Sequence, residues 1–249
     1  SKLTGPAVWE APSDYSALLK EAEAAGFEKR ISDLGADRGG LSALLVFGLK
    51  GMAAYTDHAR ILGVEDDSVY AFFHEALDFL TKENPSVDEL FGYAMKCGEI
   101  NMNVMGLLDK ANTETYGDPV PTKVRVTPLA GKCLLVSGHD LKDLEEILKA
   151  TEGKGINVYT HGEMLPAHGY PGLKKYKHLA ANYGGAWQDQ QKEFAAFPGA
   201  IVMTTNCIQR PAETYKGRIF TSGLVAWPGV THIQNRDFTP AVRASLSAE

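Results

Sequence analysis

Apolar residues recur every three to four positions over the first part of the chain and gather into short unbroken runs over the second. The first pattern predicts amphipathic helices and the second predicts buried strands. Residues 1–13 contain two prolines and no period, and read as a lead-in. Asp14 is a capping residue type, Leu18, Leu19, Ala22 and Ala25 share one helical face, and Gly26 can end that helix. From Asp37 to Leu62 a long helix places Leu41, Leu44, Leu45, Gly48, Met52 and Tyr55 on one broad face, and Gly63 stops it. Gly48 and Gly51 each cost such a helix about 1 kcal/mol relative to Ala. Close approach of a neighbouring helix is the expected reason for them. The next helix begins at Asp66 or Asp67, carries Val69, Phe72, Phe73, Ala76, Leu77 and Leu80, and closes at Asn84-Pro85. Ser86 and Glu89 then stand at capping-box spacing. They precede a helix with Val87, Leu90, Phe91, Ala94, Met95, Met102 and Met105 that reaches about Lys110. Residues 14–111 therefore read as helical hairpins packed as a bundle.

Tyr116-Gly-Asp-Pro-Val-Pro121 interrupts this pattern. It divides an expected helical bundle over 1–118 from an expected Rossmann-like α/β domain over 119–249. Three apolar runs follow: Lys132 to Gly138, Ile156 to Thr160 and Ala200 to Asn206. Helix patterns at Asp140–Thr151 and Ala186–Phe197 separate them, which is the βαβ signature of a parallel sheet. Arg218 to Val225 is a later strand candidate, Trp227-Pro-Gly229 a turn, and Asp237 to Leu246 a last helix starting near Pro240.

Composition narrows the possibilities. Apolar residues make up 44% of 249 positions, enough for a sizeable core, and the net charge of -6 argues against nucleic acid as a partner. No apolar run approaches a membrane span. The opening Ser1-Lys-Leu-Thr-Gly-Pro6 has no apolar signal core. These features predict a soluble, cytoplasmic protein with no membrane partner. Cys97, Cys133 and Cys207 are the three cysteines. They are too few and too scattered for a disulfide framework or for a cysteine-only cubane cluster. Cys97 and Cys133 sit within a helix and a strand and read as core.

Ligands of open α/β sheets gather beyond the carboxyl ends of the strands. His139, Glu163 and Cys207 each follow a predicted strand at such an end. Taken singly, each has an ordinary explanation as a loop histidine, a cap or ion-pair carboxylate, and a buried thiol. Taken together, imidazole, carboxylate and thiolate at one rim form a ligand set suited to iron or zinc. His161 and His168 lie nearby. They read as solvent-facing loop histidines, with accessory or supporting roles at the metal as the alternative. A dinucleotide fingerprint and a phosphate loop are both absent, since Gly131-Lys132 lacks the flanking residues. A Cys207–His139 nucleophile pair has no oxyanion-hole signature beside it.

Three stretches carry a resemblance. They are Gly131-Lys-Cys-Leu-Leu-Val-Ser-Gly-His-Asp-Leu-Lys-Asp-Leu144, Tyr159-Thr-His-Gly-Glu-Met-Leu-Pro-Ala-His-Gly-Tyr-Pro171 and Met203-Thr-Thr-Asn-Cys207. Tyr183-Gly-Gly-Ala-Trp187, Trp227-Pro-Gly229 and Phe47-Gly-Leu-Lys-Gly-Met-Ala-Ala-Tyr55 extend it. The chain resembles the hybrid cluster protein family, also called hydroxylamine reductase or prismane protein, from about residue 37 onward. The resemblance implies an oxidoreductase with a hybrid iron–sulfur–oxygen cluster held between a helical domain and Rossmann-like domains. By motif it implies His139, Glu163 and Cys207 as cluster ligands. The implied reaction reduces hydroxylamine to ammonia and water, with nitric oxide reduction a further possibility. Family members are roughly twice as long, begin with a four-cysteine segment and carry a third domain with further ligands. This chain is therefore expected to hold an incomplete site, one wall of the cluster, and to be inactive alone. A further domain, another chain or a second copy of this one would complete it. A truncated or engineered scaffold without catalysis, a single iron or zinc ion, and no metal at all are the alternative readings.

Overall fold

The computed structural model describes residues 10–248, so the first nine residues of the lead-in and Glu249 lie outside it. The described chain forms two compact units. One runs to Thr56 and takes in Asp66–Gly106; the other comprises Asp57–Glu65 and everything from Leu107 onward.

The first unit is helical. Helix α1 spans Tyr15–Ala25, capped by the Asp14 carboxylate on Ala17 N at 2.8 Å, and α2 spans Phe27–Leu34. Helix α3 spans Ala36–Ile61 and α4 Asp67–Phe79, with Asp66 accepting from Ser68 N at 2.8 Å. Helix α4 thus ends at Phe79, short of Asn84-Pro85. Helix α5 spans Val87–Tyr116 and opens on the expected capping box. Ser86 Oγ accepts from Glu89 N at 3.2 Å, and Glu89 Oε2 accepts from Ser86 N at 2.8 Å. It continues past Lys110 because Ala111 and Tyr116 are buried apolar anchors.

Gly48 lies where a Cβ would come 3.0 Å from Cys97 Sγ, so α3 and α5 do approach closely there. Gly51 has open space around it, and close packing does not account for it. Leu45, Leu49, Met52, Val69, Phe72, Ala76, Leu90, Cys97 and Val104 are buried. Leu44, Leu77, Phe91, Met95, Met102 and Met105, which the helical period assigns to the bundle interior, are instead more than half exposed. For the four of these on α5, the physical reason is that this helix carries two apolar stripes. Leu90, Cys97 and Val104 face inward at seven-residue spacing, and the adjacent stripe faces out.

The second unit holds a six-stranded sheet. In chain order its elements are β1 (Lys132–Ser137), α6 (Leu141–Thr151), β2 (Ile156–His161), a 3₁₀ turn over Gly162–Gly169, α7 (Pro171–Lys174) and β3 (Leu179–Asn182). A second 3₁₀ turn, Trp187–Asp189, leads into α8 (Gln190–Ala196), followed by β4 (Ala200–Met203), α9 (Glu213–Lys216), β5 (Ile219–Ser222), β6 (Thr231–Ile233) and α10 (Thr239–Ser247). The strand order is β3-β2-β1-β4-β5-β6, and every neighbouring pair is parallel. An α/β parallel sheet preceded by helices is thus the observed architecture. The sheet is buried on both faces because side chains alternate. Leu134, Val136, Val158 and Val202 meet Leu144, Ile147 and Leu148 of α6 and Ala241 and Val242 of α10. Cys133, Leu135, Ile201 and Met203 meet Phe194, Phe197 and Tyr215 on the other side. No helix among the described residues is long and apolar enough to cross a membrane.

Candidate metal centre

Strand order reverses between β1 and β4, and such a switch point opens a crevice outside the carboxyl ends of the strands. His139 follows β1 and Cys207 follows β4. The turn into His139 depends on Gly138 at φ 116°. A Cβ on Gly138 would meet Thr204 Oγ1 at 2.4 Å and Thr205 N at 2.8 Å, so only glycine lets the two loops lie this close. His139 Nδ1 bonds to Thr205 Oγ1 at 2.8 Å and lies 3.8 Å from Cys207 Sγ. His139 Nε2 bonds to Glu163 Oε2. A carboxylate only accepts, so the ring hydrogen sits on Nε2, and Nδ1 accepts from the Thr205 hydroxyl.

Glu163 stands on the 3₁₀ turn after β2, whose Met164, Ala167 and His168 are buried while the Glu163 side chain is 64% exposed. The turn is pinned from below: His168 Nε2 bonds to Thr160 Oγ1 at 2.9 Å, and Thr160 donates to Asn182 Oδ1 at 2.9 Å. Burial pushes the His168 imidazole below its ordinary value. Cys207 is half-buried. Desolvation raises its thiol above the ordinary cysteine range, the Glu163 charge adds to this, and a hydrogen bond with Thr205 opposes it. The Cys207 loop is braced by the buried Gln190, whose Nε2 donates to Cys207 O and whose Oε1 accepts from Gln209 N at 3.1 Å.

The structure therefore brings His139, Glu163 and Cys207 into contact around one imidazole ring. Their donor atoms face one another, and among the described residues no group of three or more His, Cys, Asp or Glu is arranged around a common ion position. The donor types nevertheless fit iron, with a borderline nitrogen, a hard oxygen and a soft sulfur within reach. His161 is not in that group. It is fully buried and bonds Ser137 Oγ through Nδ1 at 3.1 Å and Glu193 Oε2 through Nε2 at 2.8 Å. Neither His161 nor His168 faces solvent, contrary to the reading of them as loop histidines, because the first ends β2 and the second folds back beneath the turn.

A cluster of charge lies next to His139 that the sequence does not single out. Asp140 caps α6 through Lys142 N at 2.8 Å and Asp143 N at 3.0 Å. Arg236 reaches both acids, with Nη2 at 3.3 Å from Asp140 Oδ2 and Nε at 2.7 Å from Asp143 Oδ1. Asn235 and Arg236 adopt φ of 51° and 55°, a left-handed pair that turns the guanidinium inward. His58 lies in this field, and burial holds its imidazole below the ordinary value. The one hint in the sequence is Asn235, a residue type that tolerates left-handed backbone.

The Prismane/CO dehydrogenase family model matches residues 7–249. The hydroxylamine reductase of Syntrophobacter fumaroxidans is 61% identical over 207 residues, covering 83% of this chain and 38% of the relative. Those of Maridesulfovibrio salexigens and Rhodospirillum rubrum are 59% and 54% identical, covering 90% and 99% of this chain and 42% and 45% of those proteins. The chain thus spans less than half the length of the curated relatives it matches. Such a match, over the helices and the parallel sheet alike, leads to one conclusion: the chain belongs to the Prismane/CO dehydrogenase family, whose members include iron–sulfur oxidoreductases named hydroxylamine reductase.

Proposed function

We propose that this chain supplies His139, Glu163 and Cys207 to a hybrid iron–sulfur–oxygen cluster in a hydroxylamine-reductase-like redox protein. The observation that carries the reading is the meeting of these three side chains at the switch point of the sheet. The reaction takes hydroxylamine, electrons from an external donor and protons to ammonia and water, with cleavage of the N–O bond. Nitric oxide is a second small nitrogen-oxide substrate of the same chemistry. When bound, the cluster would supply the electrons and the Lewis-acid site for the N–O group.

The chain's own residues bind and orient. Thr205 holds the His139 ring through Nδ1, and Gln190 and Thr205 hold the Cys207 loop. The exposed Glu163 carboxylate keeps a hydrogen at His139 Nε2; for the two groups to hold a metal, this bond would have to open and the hydrogen pass to solvent. Desolvation keeps the Cys207 thiol protonated until a metal favours the thiolate. Three donors leave iron positions of such a cluster to be filled from elsewhere. A further domain of a longer polypeptide, or a partner chain, would provide them. Leu165, Trp187 and Leu224, exposed in loops beyond β2, β3 and β5, are apolar surface for that contact.

Iron and acid-labile sulfide analysis of anaerobically purified protein tests the reading. Several irons with sulfide and a visible absorption band support it. One metal ion without sulfide points to a mononuclear iron or zinc site, and absence of metal after reconstitution with ferrous iron and sulfide overturns it.

A further inference from the structure

Ser137 and His161 are paired Cα partners at the last rung of the β1–β2 ladder. Their side chains are also bonded, Nδ1 to Oγ at 3.1 Å, and His161 Nε2 continues to Glu193 Oε2 at 2.8 Å. Because a carboxylate only accepts, Nε2 carries the hydrogen and Nδ1 accepts from the serine hydroxyl. Glu193 is itself held by Gly185 N, at 3.0 and 3.2 Å from its two oxygens. Gly184, at φ 70°, leaves room for it: a Cβ there would stand 2.5 Å from Glu193 Oε2. The Phe194 ring meets the imidazole edge-on at 4.9 Å. Each polar atom of this fully buried imidazole is used, and the Gly184-Gly185 pair lies against its carboxylate partner.

From this rung both strands leave in the same way. Gly138 and Gly162, each with positive φ, follow Ser137 and His161, and His139 and Glu163 come next and touch. We infer that Ser137, His161 and Glu193 form a positioning relay that fixes the separation of the His139 imidazole and the Glu163 carboxylate. His161 is its centre: a positioning residue, with both nitrogens already engaged by Ser137 and Glu193. The physical ground is that a side-chain bond across the last rung stops β1 and β2 from splaying where backbone pairing ends. Buried polar networks that are fully satisfied rigidify what they join. The consequence for metal binding rests on the function proposed above.

The test uses Co(II) as probe on the full chain, with His161→Ala, His161→Gln and Glu193→Ala beside wild type. Circular dichroism and thermal melting establish which variants fold. Supporting partners of metal ligands are worth about 10- to 100-fold in affinity. His161→Ala and Glu193→Ala should therefore bind Co(II) at least tenfold more weakly, with altered visible bands. His161→Gln, whose amide can both donate and accept, should recover most of the affinity and spectrum. Folded Ala variants with wild-type affinity and bands overturn the relay, and so does unfolding of both, which would make the role purely structural. If wild type itself binds no Co(II), the metal reading fails. The relay is then judged in the metal-free chain by the His139 ring ¹⁵N resonances: a shift in the Ala variants with restoration in His161→Gln supports it, and no shift overturns it.

Discussion

His139 Nδ1 and Cys207 Sγ lie 3.8 Å apart although 68 positions separate them in sequence. The contact exists because β1 and β4 are neighbours in the sheet, with Ser137 paired to Met203, and because the loops beyond them pass without a side chain between them. It makes the approach of imidazole and thiol a property of backbone packing.

Gly138→Ala should therefore damage fold and site together. The new Cβ would press on Thr204 and Thr205 at a φ that only glycine adopts readily. We expect a loss of about 3 kcal/mol in urea unfolding. A faster alkylation of Cys207 should accompany it as the two loops separate.

Gly48 and Gly51, both within α3, should respond differently to alanine. Gly51→Ala meets nothing within 4 Å and should gain up to about 1 kcal/mol, read as a higher melting temperature. In Gly48→Ala the same gain is offset by crowding against Cys97 Sγ, so melting should be unchanged or lower. Equal rises in both variants would contradict the close approach of α3 and α5.

Asp143 gives stability an acid-side dependence. Burial pushes its carboxyl up to about 6, the neighbouring Asp140 charge adds to this, and Ser222 and Arg236 pull it down. The folded chain then holds this proton at pH values where the unfolded chain, titrating near about 4, has lost it. The contribution is present in full below that value and is lost as pH rises through about 6. Asp143→Asn should flatten this window in unfolding curves measured from pH 4 to pH 7.

Arg236 should be costly to remove. It is ion-paired with both Asp140 and Asp143, and Asp143 is fully buried. Arg236→Met is expected to lose about 3 kcal/mol, because breaking a buried pair strands its partner. Adding Asp143→Asn to Arg236→Met should return part of the loss, and a double-mutant cycle by chemical denaturation measures the coupling.

Much of the sheet could be read from residue order alone, as could the strand-end positions of His139, Glu163 and Cys207. Strands β1, β2 and β4 are apolar runs, and each is followed by the chemistry it presents. Strand β3 is only Leu179-Ala-Ala-Asn182, and β6 only Thr231-His-Ile233, too short and too mixed to register as period or run. Helix α5 was readable in type but not in orientation, since both of its stripes are apolar and periodicity cannot rank them. The partners of the site were harder still. Glu193 and His161 meet across 32 positions, and Arg236 reaches Asp140 across 96. Such long-range pairing leaves no local pattern, and of the left-handed pair Asn235 and Arg236 only Asn235 is a residue type that favours that backbone.

The equal step from Ser137 to His139 and from His161 to Glu163 also bears on how this chain can change in length. One residue inserted or deleted in either step would leave the sheet intact and carry the imidazole and carboxylate past each other. The turn before β2, with Gly153 at φ 71° and Gly155 at φ 68° and open space around both, lies at the other end of the strands. An insertion there is absorbed before pairing begins. Variation in chain length is thus expected at the amino ends of the strands, while the spacing at their carboxyl ends stays fixed.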